Sequence, residues 1–205
     1  ERGLPVIAAN TPRPLASRVS HQGAASVQGE LGVARRTSAP RDEYFRAFRK
    51  VMQETPGHAF DDASLERFYA AQCLKDDTMA ESIADYLEMH PTRAPLVVHV
   101  CGKFHSDRGR GTVQRLLERR PLTRVQVVSM EAAASPSDRQ GTPADRQVCH
   151  YLLVVPPKVS PEPTPGPAAP DAEGVSATPP GPGRDARPLP PSPTPEDDFQ
   201  FDPEG

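Results

Sequence analysis

The chain has 205 residues, with 24 Lys and Arg against 27 Asp and Glu, and a formal net charge of −3. This balance, with no basic run carrying interleaved aromatics, excludes nucleic acid as a natural partner. No apolar run is long enough for a transmembrane segment, and Cys73, Cys101 and Cys149 lack the spacing of a zinc ribbon or a disulfide framework.

The chain starts at Glu1 without Met, directly before an apolar run over residues 4–10 that reads as an internal parallel strand. The expectation is a fragment lacking upstream sequence, so the absence of a targeting signal says nothing about location. Pro12 and Pro14 stop the strand. Asn10 falls at its carboxyl end, where it is either a ligand contact or an Asx-turn residue. A short helix follows over about 15–19, ending near Gly23, and residues 24–40 read as loop. Tyr44, Phe45, Phe48, Val51 and Met52 mark an amphipathic helix over 41–54, ended by Pro56 and Gly57.

Asp61 to Ser64 offer N-caps for a long helix over about 63–89. Leu65, Phe68, Gln72, Asp76, Met79, Ile83 and Leu87 recur on one face at steps of three and four. Gln72 and Asp76 interrupt that apolar stripe. A buried carboxylate is costly without partners, so Asp76 is expected either to receive hydrogen bonds from a neighbouring loop or an arginine, or to line a polar pocket with Gln72. Tyr69 lies beside the stripe, as a half-buried core residue or a side chain turned towards that pocket.

Residues 96–101 form a second apolar run, read as a strand buried on both faces, with His99 as a satisfied core histidine. The run ends in Gly102-Lys103-Phe104-His105. Open α/β sheets place ligands beyond the carboxyl ends of parallel strands, so His105 is positioned as a ligand or base as well as an ordinary loop histidine. Gly109 and Gly111 open a helix over 110–119. Its first backbone N–H groups, with Arg108 and Arg110, suit a carboxylate or phosphate. Strands are expected over 123–130 and 147–155, joined by a polar loop over 132–146.

The alternation implies an α/β domain over residues 1–155: a mostly parallel sheet flanked by helices, incomplete at the N-terminus. More than half of the 26 prolines lie from Pro156 onward. Residues 156–205 have few large apolar side chains and are expected to be a disordered, Pro-rich tail.

Three motifs in order resemble the later part of the ChaN-like haem-binding domain. They are residues 4–10 followed by Pro12 and Arg13; Ala71 and Gln72 with Asp76, Thr78 to Ala80 and Ile83; and Gly102 to His105 with Gly109 and Gly111. This domain belongs to a superfamily that includes Tiki-type proteases and erythromycin-esterase-like enzymes. The resemblance implies haem binding for uptake or storage, often in bacterial envelope lipoproteins. It implies haem held between protomers of a homodimer, with a tyrosine on iron and a histidine nearby. By position Tyr69 is the first candidate for that tyrosine and Tyr44 the second. Active superfamily members use a glutamate and two Gly-x-x-His motifs, of which only Gly102 to His105 is present. The expectation is therefore a binding module, not an enzyme, that takes haem through His105, Tyr69, Asn10, Gln72, Asp76, Met79 and Arg108. In that picture Met79 packs the porphyrin; apart from the resemblance, Arg108 or Arg110 with the start of the following helix suits a propionate. The alternative is a hydrolase in which His105 holds a divalent metal.

Overall fold

A computed structural model describes residues 3–55, 60–91 and 95–158. The long helix is its axis. This helix, α3, runs over Asp62–Met89 with Asp61 accepting from the Ser64 N–H at 2.6 Å as its N-cap. Two shorter helices precede it. In α1, Arg13–Gln22, Pro12 caps and Pro14 occupies the first turn, where a missing N–H costs nothing. In α2, Glu43–Glu54, the Asp42 carboxylate accepts from the N–H groups of Tyr44 and Phe45. After α3 come α4, Thr112–Arg119, and α5, Pro143–Val148, whose Thr142 and Asp145 make a reciprocal capping box.

One buried stripe was expected of α3. Its middle is instead buried on nearly all sides, because three helices surround it. Leu15 and Val19 of α1 pack with Ala71 and Leu74. Tyr44, Phe45, Phe48 and Met52 of α2 pack with Leu65, Tyr69 and Cys73. Leu116 of α4 packs with Ala80, Ile83 and Ala84. Asp77 and Thr78, off the predicted stripe, are therefore buried too. Thr78 answers this by donating to the Leu74 carbonyl one turn back and accepting from the Thr11 hydroxyl at 2.9 Å.

Two strands pair in parallel: β1, Val128–Ala132, and β2, Tyr151–Val155, with Val128 opposite Tyr151 and Ala132 opposite Val155. The chain is thus α/β, with helices packed on α3 and a two-stranded parallel sheet. The last two strands start later than expected. Thr123 to Gln126 precedes β1 without joining the ladder, the Val127 carbonyl accepts from the Tyr151 N–H at 3.1 Å, and α5 takes up residues that the pattern assigned to the second strand. The polar loop between them contains a helical turn at Pro136–Asp138 as well as α5.

Residues 4–10 and 96–101 are not strands, which corrects the expected sheet. Burial along 96–100 still alternates with period two. Val97 and His99 are half-buried, while Leu96, Val98 and Val100 are 90%, 78% and 88% exposed. Ladder bonds need a neighbouring strand, and among the described residues none lies beside either run. Leu4 and Val6 are likewise exposed. The expected tail lies outside the described residues apart from 156–158. Among the described residues, no helix is long and apolar enough to cross a membrane.

Candidate functional site

The polar break in α3 meets the Gly-x-x-His turn. Gly102 leads into a helical turn at Lys103–His105, in which the His105 N–H bonds back to the Gly102 carbonyl at 2.9 Å. A second turn at Asp107–Gly109 carries Arg108 through the left-handed region at φ 60°. Gly111 then enters α4 at φ 56°. A Cβ at Gly111 would stand 2.6 Å from the His105 carbonyl oxygen and 2.9 Å from Asp76 Oδ1. Only glycine allows the loop, the head of α4 and the middle of α3 to approach this closely.

Asp76 is fully buried, and its two oxygens are well supplied with donors. The Tyr44 hydroxyl donates to Oδ2 at 2.8 Å. The Thr112 hydroxyl and His105 Nδ1 both reach Oδ1 at 2.8 Å. Gln72 Nε2 donates to the Tyr44 oxygen at 3.1 Å and lies over the His105 ring, 3.1 Å from Nδ1 and 3.4 Å from Nε2. Burial, with the charge of Asp76, pushes the Tyr44 phenol far above its ordinary range, so Tyr44 keeps its proton and remains a donor. The Arg115 guanidinium lies 5.6 Å from the Tyr44 ring centroid and supplies a buried positive charge beside the cluster.

His99 belongs to the same neighbourhood. Burial lowers its pKa, and the charge of His105 adds to the effect. Its Nε2 is buried without a hydrogen-bond partner, so it is not the satisfied core histidine that the sequence pattern suggested. A buried nitrogen of this kind is open to a water or a ligand atom.

The structure therefore brings Gln72, Asp76 and His105 together and adds Tyr44 and Thr112. The other expected site residues stand outside this network. Tyr69 is buried among Phe45, Phe48 and Tyr44 and donates its hydroxyl to the Pro40 carbonyl at 2.9 Å. Met79 is buried on α3. Asn10 and Arg108 are exposed, and Arg110 pairs with Glu43 of α2 at 2.8 Å. Thr112 was missed because a threonine after glycine carries no signal of its own. Its place at the head of a helix just after the Gly-x-x-His turn was the available clue.

A carboxylate–imidazole pair of this kind can donate an electron pair to a metal or take up a proton. Among the described residues no group of three or more His, Cys, Asp or Glu is arranged to hold a metal ion. A surface cleft of about 440 Å³ is lined by charged side chains, including Arg35, Arg36, Glu81 and Arg119, and by none of the cluster residues.

No curated protein and no solved structure matches the chain significantly. A family model does, described as haem-binding uptake, Tiki superfamily, ChaN, and it covers residues 1–116. That span holds α1 to α3, the Gly-x-x-His turn, Thr112 and every residue of the Asp76 cluster. The match covers more than half of the sequence, and the chain belongs to this ChaN-type family of the Tiki superfamily.

Proposed function

We propose that this chain is a haem-binding module serving haem uptake or storage, with His105 as the residue that meets the haem iron. The observation that carries the reading is the His105 imidazole held by the buried carboxylate of Asp76 at 2.8 Å, inside the span of the family match. A histidine whose other ring nitrogen is held by a carboxylate is a good iron donor, because the carboxylate raises the basicity of the ring. The partnerless Nε2 of His99, close enough to feel the charge of His105, suits a ligand with polar edges. Bound haem supplies a Lewis-acidic iron and a flat apolar surface. The chain supplies the imidazole, the apolar contacts and, at Arg108, a cation for a propionate.

The family resemblance supports haem held between two copies of such a chain, and a homodimer is part of the proposal. Both candidates for the tyrosine expected on iron have engaged hydroxyls. The Tyr69 hydroxyl is committed to Pro40 and that of Tyr44 to Asp76. For either to bind iron, it must leave its present partner. Gln72, Met79 and Asn10 are proposed to flank the haem without ligating it.

A titration of the 205-residue chain with haem tests the proposal. A Soret band that shifts on binding and is lost in His105→Ala is expected. Arg108→Ala together with Arg110→Ala is expected to weaken binding while keeping the band. A specific observation also favours a hydrolase: an imidazole on a buried aspartate is the arrangement of a general base. Protein that takes up no haem and hydrolyses an ester or peptide when given a divalent metal would replace the haem reading with that one.

A further inference from the structure

We propose that Asp76 is a positioning residue that holds His105 as its Nδ1–H tautomer, with Tyr44 and Thr112 orienting the carboxylate, so that Nε2 is the only basic nitrogen His105 offers. The argument is one of donors and acceptors. An ionised carboxylate only accepts. Oδ2 takes the Tyr44 hydroxyl and Oδ1 takes the Thr112 hydroxyl, each at 2.8 Å. The third contact, from His105 Nδ1 to Oδ1 at 2.8 Å, is a hydrogen bond only if Nδ1 carries the proton. The opposite tautomer would set a nitrogen lone pair against a carboxylate oxygen in a fully buried site. Protonating Asp76 on Oδ1 to relieve that clash would leave Thr112 donating to a hydroxyl oxygen, a poorer acceptor than a carboxylate oxygen.

The same accounting orients Gln72. The Tyr44 proton is committed to Asp76, so the Tyr44 oxygen must accept, and the group at 3.1 Å is the Gln72 amide nitrogen. That nitrogen stands 3.1 Å from His105 Nδ1 and 3.4 Å from Nε2; with the proton on Nδ1, a Gln72 N–H can reach only Nε2, at the long end of an N–H···N bond, which leaves the Nε2 lone pair weakly engaged. The His105 side chain is 15% exposed. Five side chains from α2, α3, the Gly-x-x-His turn and α4 thus converge on one result, an Nδ1–H ring in which Nε2 is the one position left to donate an electron pair. That this atom meets iron rests on the haem reading. The tautomer itself does not.

The experiment uses the haem-free 205-residue chain labelled with ¹⁵N at histidine. Long-range proton–nitrogen correlation is recorded near pH 8, well above the reference imidazole value of about 6.5. The His105 signals are identified by their loss in His105→Gln. The expected result is a protonated Nδ1 and an unprotonated Nε2, with one tautomer only. In Asp76→Ala, checked for folding by circular dichroism, the single tautomer is expected to give way to a mixture in which Nε2–H rises. An Nε2–H tautomer in the wild-type chain would overturn the proposal, whether or not the variant folds. An unchanged Nδ1–H signal in folded Asp76→Ala would also overturn it. Haem titration separates the two claims. Failure to bind haem with Nδ1–H in place removes only the functional reading, and haem binding by an Nε2–H ring removes only this one.

Discussion

Asp76 and Asp77 are neighbours on the same helix and both are buried, yet they are neutralised in opposite ways. Asp77 faces two permanent cations. Its Oδ1 lies 2.9 Å from Arg119 and its Oδ2 3.3 Å from Arg115, and it also accepts the Ser38 N–H at 3.0 Å. Arg119 and Arg115 also reach the Arg36 and Ser38 carbonyls, so this side ties the 24–40 loop, α3 and α4 together. Asp76 is met by two hydroxyls and an imidazole, none of them a fixed charge. Arginine stays charged at any working pH, so the Asp77 side is a clamp with one state. A hydroxyl can turn and an imidazole can gain or lose a proton or a ligand, so the Asp76 side can change state without unpacking the helix. Two adjacent residues with one side-chain type thus divide structure from chemistry.

The sharpest way to break the comparison is at the clamp. Asp77→Ala removes the counter-charge shared by two buried guanidiniums and leaves Arg119, among the described residues, only Glu81 at 3.9 Å. Breaking a buried ion pair from one side costs about 3–5 kcal/mol, which urea unfolding followed by circular dichroism will report. The folded fraction should still take up haem, because Asp77 touches neither His105 nor Tyr44. Loss of haem uptake in proportion to nothing but folding is expected; a separate loss of affinity would show that the two sides are coupled.

Next in size is Gly111→Ala, which strikes the other side. A side chain in this backbone region costs on the order of 1–3 kcal/mol in strain alone. The new methyl group also presses on the His105 carbonyl and Asp76 Oδ1. Both stability and haem affinity should fall, measured by the same two methods. A variant with reduced stability and intact affinity would mean that the close approach at Gly111 serves packing only.

The smallest effect concerns acid sensitivity. The folded pKa of His99 is depressed, first by burial and then by the charge of His105. The unfolded chain therefore binds a proton at His99 before the folded chain does. The stability from keeping His99 neutral is complete above the unfolded value of about 6.5, and it is lost as pH falls through the depressed folded value. Unfolding curves of wild type and His99→Leu, taken over a series of pH values, should converge or cross on the acid side as this loss disappears in the variant. Parallel pH profiles would assign the acid sensitivity elsewhere.

The part of this arrangement legible in the sequence is the part written in local pattern. Gln72 and Asp76 stood out because they interrupt an apolar stripe, and His105 because it follows an apolar run and a glycine. The helices likewise follow from periodicity and caps. What the pattern hid depends on tertiary packing. Asp77 fell outside the expected stripe because one stripe implies one neighbour, whereas α1, α2 and α4 enclose α3 from several sides. Tyr44 and Tyr69 both lie on apolar helix faces, and only packing decides that the first hydroxyl reaches Asp76 while the second reaches Pro40. Residues 4–10 and 96–101 have strand composition, but a strand is defined by its partner, and composition cannot supply one.

The run over 96–101 has a practical consequence. Leu96, Val98 and Val100 project from a segment whose peptide groups make no ladder bonds among the described residues. A row of unpaired amides and carbonyls beside β-branched side chains is a template for edge-to-edge aggregation. The chain on its own is therefore expected to be most sensitive to concentration at this segment. A lysine at position 98, placed on the exposed side, is the kind of gatekeeper that would keep it dispersed without touching His99 or His105.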